Sequence, residues 1–124
     1  MTQSLEDYLK TIGFLADRGA VRVTDIAVQL GVSKPSVVVA IKVLEAQGFL
    51  EHERYRTVTL TKQGKEKVSE IRDRYNCLLL FLRDVLGVSQ RTAERDSCKM
   101  EHIVSDETLK MMKNLKCYQK RFSA

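Results

Sequence analysis

The chain is poor in the residues that most enzymes rely on. Its 124 residues include two histidines, His52 and His102, and three cysteines. No glycine-rich phosphate loop and no nucleophile motif is present, so catalysis is not expected. Cys77, Cys98 and Cys117 are odd in number and widely spaced, which argues against a disulfide framework. Each reads first as a small buried residue. Long apolar runs are missing as well. The longest, Cys77 to Leu82, stops at Arg83 and Asp84, far short of the roughly 20 residues that cross a bilayer. The opening MTQSLEDYLK holds no signal-peptide core. These absences lead to the expectation of a cytoplasmic protein with no membrane partner. Proline is nearly absent too, and the single one, Pro35, is informative for that reason.

What is present is a balanced globular composition, 44% hydrophobic and 30% charged, within the size of one ordinary domain and unlike a disordered chain. The formal net charge of +5 suits a polyanionic partner. Its distribution weakens that inference. Residues 1–60 carry seven basic and seven acidic side chains, and the excess lies later, partly in Lys110, Lys113, Lys116, Lys120 and Arg121. Pattern says more than charge here.

Ser4 is in N-cap position, with Asp7 three residues on, ahead of helical spacing at Leu5, Tyr8, Leu9, Ile12 and Leu15. Val21 and Val23 alternate like a short strand. Thr24 can cap a second helix through Ile26, Ala27 and Leu30, which Gly31 ends. Ser33 caps a third, with Pro35 in its first turn, where no amide bond is lost. Val37, Ala40, Ile41 and Leu44 form its inner face and Gly48 stops it. Residues 24–47 therefore read as helix, glycine turn, helix. Phe49–Glu53 and Thr57–Leu60 alternate around Arg54-Tyr55-Arg56 as a hairpin does. A hairpin directly after such a helix pair is a wing.

Thr61 caps a long helix running to Gly87. Ser89 starts another, to about His102, and Ser105 with Asp106 and Glu107 caps a last one bearing Leu109, Met112 and Leu115. The expected fold is mainly α: a winged helix-turn-helix over 1–70 with a two-stranded wing, then a helical metal-binding and dimerisation region over 71–124.

A recognition helix reads the major groove of double-stranded DNA through its N-terminal residues. Here these are Ser33, Lys34, Pro35, Ser36, Val38 and Val39. The serines and Lys34 can bond phosphates or bases, and Pro35, Val38 and Val39 can meet thymine methyls. The two valines can equally pack on a neighbouring element. Arg54 and Arg56 at the wing tip suit the phosphate backbone or the minor groove, although a solvated turn has the same composition. His52 reads as a surface strand residue.

Cys98, Glu101 and His102 stand at i, i+3 and i+4, which gathers thiolate, carboxylate and imidazole on one helix face. All three are ligand types for first-row transition metals. The same spacing fits a buried cysteine beside a salt-bridging glutamate and a partly buried histidine.

Together with Glu6-Asp7-Tyr8-Leu9, Val23-Thr24-Asp25-Ile26-Ala27, Ser33-Lys34-Pro35-Ser36-Val37, Tyr55-Arg56 with Leu60-Thr61, Phe81-Leu82-Arg83 and Cys98 through Glu107, the chain resembles the diphtheria toxin repressor and manganese transport regulator family of metal-dependent repressors. The resemblance runs from about residue 4 to 115. It implies a homodimer, formed through the C-terminal helices, that binds a near-palindromic operator with divalent Mn²⁺ or Fe²⁺ as co-repressor. It implies Asp7, Cys98, Glu101 and His102 as the primary metal ligands. The apolar residues Ile103, Val104, Leu109, Met112 and Leu115 are expected at the dimer surface. Three positions depart from the family pattern. Lys10, Tyr75 and Leu79 stand where members carry further ligands, which removes most of a second site, although Glu94 could still contribute. Hard Asp7 and Glu101 suit Mn²⁺, whereas soft Cys98 favours Fe²⁺, Co²⁺ or Zn²⁺. The alternative is a winged-helix regulator that is metal-independent or senses oxidation at Cys98, where His102 and Lys99 could activate the thiolate.

Overall fold

Residues 1–53 and 57–115 are described by a computed structural model. They form mainly helices: α1 (Gln3–Ala16), α2 (Val23–Leu30), α3 (Lys34–Ala46), α4 (Lys62–Leu80), α5 (Gln90–Met100) and α6 (Asp106–Lys113). One antiparallel hairpin, β1 (Leu50–His52) and β2 (Val58–Leu60), pairs Leu50 with Leu60 and His52 with Val58. The chain divides into two compact units, Met1–Glu70 and Ile71–Ala124. Among the described residues, no single helix is long and apolar enough to cross a membrane.

In the N-terminal unit the apolar spacing read from the sequence is what packs. Leu9 and Ile12 of α1, Ile26 and Ala27 of α2, and Val37, Ala40, Ile41 and Leu44 of α3 share one core with Leu50, Val58 and Val68. Helices α2 and α3 meet at 111°, the crossing of a helix-turn-helix. The bend is set by Gly31, whose φ of 65° lies in the left-handed region that favours glycine. Ser33 caps α3, its hydroxyl accepting from the Ser36 amide at 3.3 Å. At the base of the wing, the Thr61 hydroxyl donates to the Gly48 carbonyl at 2.6 Å and accepts from the Gly64 amide at 3.0 Å. Position 64 admits only glycine, because any β-carbon there would collide with the Phe49 carbonyl.

Several local expectations are corrected. Helix α1 begins earlier than Ser4 implies: Thr2 is the cap, accepting from the Leu5 amide at 3.2 Å. Helix α2 is not capped by Thr24, which lies inside it. Asp25 instead reaches back to the Arg22 amide at 3.0 Å. Of the strand expected over Val21–Val23, only Val21 bridges, to Val58, and Val23 opens α2. The wing tip Arg54-Tyr55-Arg56 lies outside the described residues.

In the C-terminal unit α4 does not run as a plain helix to Gly87. Phe81–Val85 forms a π-helical turn, the Leu86 amide donating to the Phe81 carbonyl at 3.0 Å. Such a turn inserts an extra residue into the helical ladder and re-aims the chain beyond it. Arg83 in this turn grips its neighbour Asp84 with two bonds of 2.9 Å and reaches Gln90 of α5 at 3.0 Å. Those bonds to Asp84 hold its guanidinium above the ordinary arginine range. Ser89 and Ser105 cap α5 and α6, as the sequence led one to expect. The core of this unit is small: Cys77 and Leu78 of α4 with Leu109 of α6, flanked by Met100, Val104 and Met112. Three of the residues expected at a dimer surface, Val104, Leu109 and Met112, are thus drawn into the unit's own core. Ile103 and Leu115 remain exposed; neither lies within α6, Ile103 preceding it and Leu115 following its C-cap Asn114.

Candidate DNA-reading surface and metal centre

Recognition by α3 requires exposed side chains over its first two turns. Ser33, Lys34, Pro35 and Ser36 are all exposed. Val37 is fully buried, Val38 half-buried, and Val39 is 63% exposed. Of the three consecutive valines, Val39 is thus the one that faces outward, and Val38 is shared with the protein interior. The hydroxyls of Ser33 and Ser36 lie 2.8 Å apart, one donating to the other, so the accepting hydroxyl keeps its own O–H to donate to an outside acceptor. Arg54 and Arg56, the expected wing contacts, are outside the described residues.

The C-terminal unit carries the second cluster. The sequence places Cys98, Glu101 and His102 on one continuous helix. In the structure α5 ends at Met100, Glu101 is its C-terminal capping residue and His102 lies in the following turn. The turn is built by the Ile103 and Val104 amides, which both donate to the Met100 carbonyl, at 3.0 and 2.9 Å. Its effect is to fold the Glu101 and His102 side chains inward together. Glu101 Oε1 lies 3.4 Å from His102 Nε2, and both side chains are almost completely enclosed, at 0% and 2% exposure. Cys98, one turn earlier, is an exposed thiol outside that enclosed pair. Asp7 lies in the N-terminal unit, in the first half of α1 and half-buried.

An enclosed carboxylate is costly unless positive charge and directed bonds compensate it. A divalent cation supplies both, and a hard carboxylate beside an imidazole is a donor pair that first-row divalent ions accept. The residues present therefore fit a metal.

One participant has no counterpart among the residues that the sequence singles out. Arg74, on α4 and largely buried, donates through Nε to the Glu101 carbonyl at 2.8 Å, through Nη1 to Asp106 Oδ1 at 2.6 Å, and through Nη2 to the Val104 carbonyl. An arginine in a charged helix reads as a surface residue. Only a fold that brings three acceptors to it reveals otherwise.

Comparison with known proteins matches this arrangement over both units. The family model described as the iron dependent repressor N-terminal DNA binding domain matches residues 1–58. The model for the iron dependent repressor metal binding and dimerisation domain matches residues 61–118. An uncharacterised HTH-type transcriptional regulator of Methanocaldococcus jannaschii is 35% identical over 115 residues, 91% of this chain and 92% of that protein. The transcriptional regulator MntR of Escherichia coli O157:H7 is 41% identical over 106 residues, 85% of this chain and 68% of that protein. Among solved structures, the manganese regulator SloR superimposes with a TM-score of 0.78 at 27% identity, over 95% of this chain and 55% of SloR. A manganese-dependent transcriptional repressor in complex with manganese gives 0.78 at 28%, over 88% of this chain and 50% of that one. The chain spans about half the length of these solved relatives.

Proposed function

Since the chain belongs to the iron-dependent repressor family, the group of the diphtheria toxin and manganese transport regulators, and is a metal-dependent transcriptional regulator rather than an enzyme, we propose that it acts as a repressor, binding a near-palindromic operator as a homodimer with Mn²⁺ or Fe²⁺ as co-repressor. The observation that carries this reading is the enclosed Glu101–His102 pair in a chain whose other unit is a winged helix-turn-helix.

Glu101 and His102 would hold one ion per protomer, with Asp7 and Cys98 as the further ligands that the family resemblance implies, the exposed Cys98 thiol having to turn toward the enclosed pair. When bound, the ion supplies positive charge and directed ligand bonds that favour one conformation of the protein over others. The carboxylates and imidazole support Mn²⁺ or Fe²⁺, and the thiol adds weight to Fe²⁺. Lys10, Tyr75 and Leu79 are poor ligands at neutral pH, which supports one ion and not two. On the DNA side, Ser33, Lys34 and Ser36 meet phosphates and base edges, Pro35, Val38 and Val39 contribute apolar contact, and Arg54 and Arg56 track the backbone. The dimer contact draws on exposed apolar residues of the C-terminal unit, Ile103, Met111 and Leu115.

Anaerobic titration calorimetry with Mn²⁺, Fe²⁺ and Co²⁺, paired with a binding assay on the DNA upstream of the protein's own gene, tests the reading. One ion per protomer and metal-stimulated DNA binding are expected. No binding of any of the three below millimolar concentration would sink it. The exposure of Cys98 favours one other reading, regulation by oxidation of that thiol. DNA binding that follows thiol titration and ignores metal would select it.

A further inference from the structure

Resting on the metal-site reading above, we infer that Arg74 is the positioning residue of the metal centre: its guanidinium sets the orientation of Glu101 and His102 without touching the ion. The last carbonyls of a helix have no partner within it, and Glu101 and Val104 sit in or just beyond the last turn of α5. A turn left with free carbonyls is soft. Arg74 removes the softness by filling three acceptors within six residues, the Glu101 and Val104 carbonyls and the Asp106 carboxylate.

The first of these bonds is the critical one. The Glu101 carbonyl belongs to the peptide plane that joins Glu101 to His102. Because that plane is rigid and includes both α-carbons, a 2.8 Å bond to its oxygen constrains the backbone of both ligands at once. The other two bonds pin the far end of the turn, so the segment cannot rotate about the first. Arginine suits this role for geometric reasons. Its donors lie in one fixed plane on a single stem, whereas a lysine ammonium is a compact point charge. Arg74 is 15% exposed and Asp106 93% exposed, so the anchor runs from an interior guanidinium to a carboxylate at the surface, and the two bonds to backbone carbonyls are its part-buried members.

The test is R74K, which keeps the charge and loses the planar fork. Circular dichroism and thermal unfolding of the metal-free protein establish that the variant folds. Calorimetry with Mn²⁺ then measures affinity, and the visible absorption of Co²⁺-loaded protein reports ligand geometry, which a purely stabilising residue would not move. R74K is expected to fold, to bind Mn²⁺ about ten-fold or more weakly, and to give an altered Co²⁺ spectrum. D106A, which removes only the exposed anchor, is expected to shift Mn²⁺ affinity in the same direction by less, and it carries the test if R74K does not fold. Wild-type affinity and an unchanged Co²⁺ spectrum in the folded variant would overturn the role of Arg74 while leaving the metal site standing. A wild-type chain that binds neither ion would overturn both.

Discussion

The two units of this molecule are held together by different means. Among the described residues, the N-terminal unit buries thirteen apolar side chains in one cluster that draws on α1, α2, α3, both strands and the start of α4. The C-terminal cluster has three buried members, Cys77, Leu78 and Leu109, and is joined by polar anchors: Arg74 across the α5–α6 turn and Arg83 between the π turn and α5. Both units leave apolar side chains exposed, among them Phe14, Val28 and Val39 in the first and Leu86, Ile103, Met111 and Leu115 in the second. A unit that must present the same helix to DNA every time gains from a rigid apolar core. A unit that answers a ligand and a partner gains from an arrangement that those partners complete.

This contrast can be broken most severely in the N-terminal core. Leu44→Ala removes a fully buried side chain from α3 and is expected to cost about 2–5 kcal/mol, read as a lowered denaturant midpoint and lost DNA binding with or without metal. An unchanged midpoint would contradict the placement of Leu44 in that core. In the other unit the expected loss is of response and not of fold. His102→Ala is expected to abolish metal stimulation of DNA binding while the metal-free protein keeps its circular dichroism spectrum and its weak nonspecific affinity. If metal still stimulated binding in that variant, the enclosed pair would not be the sensor.

A third change sharpens the distinction between the core and the surface of the C-terminal unit. Ile103→Glu adds charge at an exposed position, and the protein is expected to remain folded but to sediment as a monomer at micromolar concentration. Continued dimerisation would place the contact elsewhere. The smallest effects belong to the recognition helix. Lys34→Ala is expected to lower the slope of log affinity against log salt by about one. Val39→Ala is expected to alter base preference with little change in that slope. Equal effects of both variants on affinity and preference would remove the division between phosphate and base contacts along α3.

The features legible in the sequence are those set by short-range interactions. The residues at helical and alternating spacing, the caps Ser33, Thr61, Ser89 and Ser105, and the glycine stop at Gly31 are local. Each is decided by a few neighbours along the chain, and apart from Val23, which opens α2, and Leu115, which lies beyond α6, they appear as expected. The N-cap of α1 falls at Thr2 and not at Ser4; both offer a hydroxyl, and it is the Thr2 hydroxyl that accepts from the Leu5 amide. Helix α5 ends earlier than the Cys98–His102 spacing suggests, since that spacing suits a helix on its own terms. It is the bonds from the turn to Met100 and to Arg74 that stop the helix at that residue.

By itself, the sequence determined the order of elements, the helix-turn-helix with its wing, the capped and exposed start of α3 at Ser33–Ser36, and the pairing of a carboxylate with an imidazole at 101 and 102. These depend on periodicity, capping and the chemistry of adjacent side chains, all of which act over short distances along the chain. Tertiary structure alone decided that Val104, Leu109 and Met112 pack inward while Ile103 and Leu115 do not, that Glu101 and His102 are enclosed while Cys98 is exposed, and that Arg74 is an anchor and not a surface charge. Burial and long-range hydrogen bonds depend on which elements meet in space. Arg74 and Val104 stand 30 residues apart in sequence, and no local pattern could have announced that they would meet.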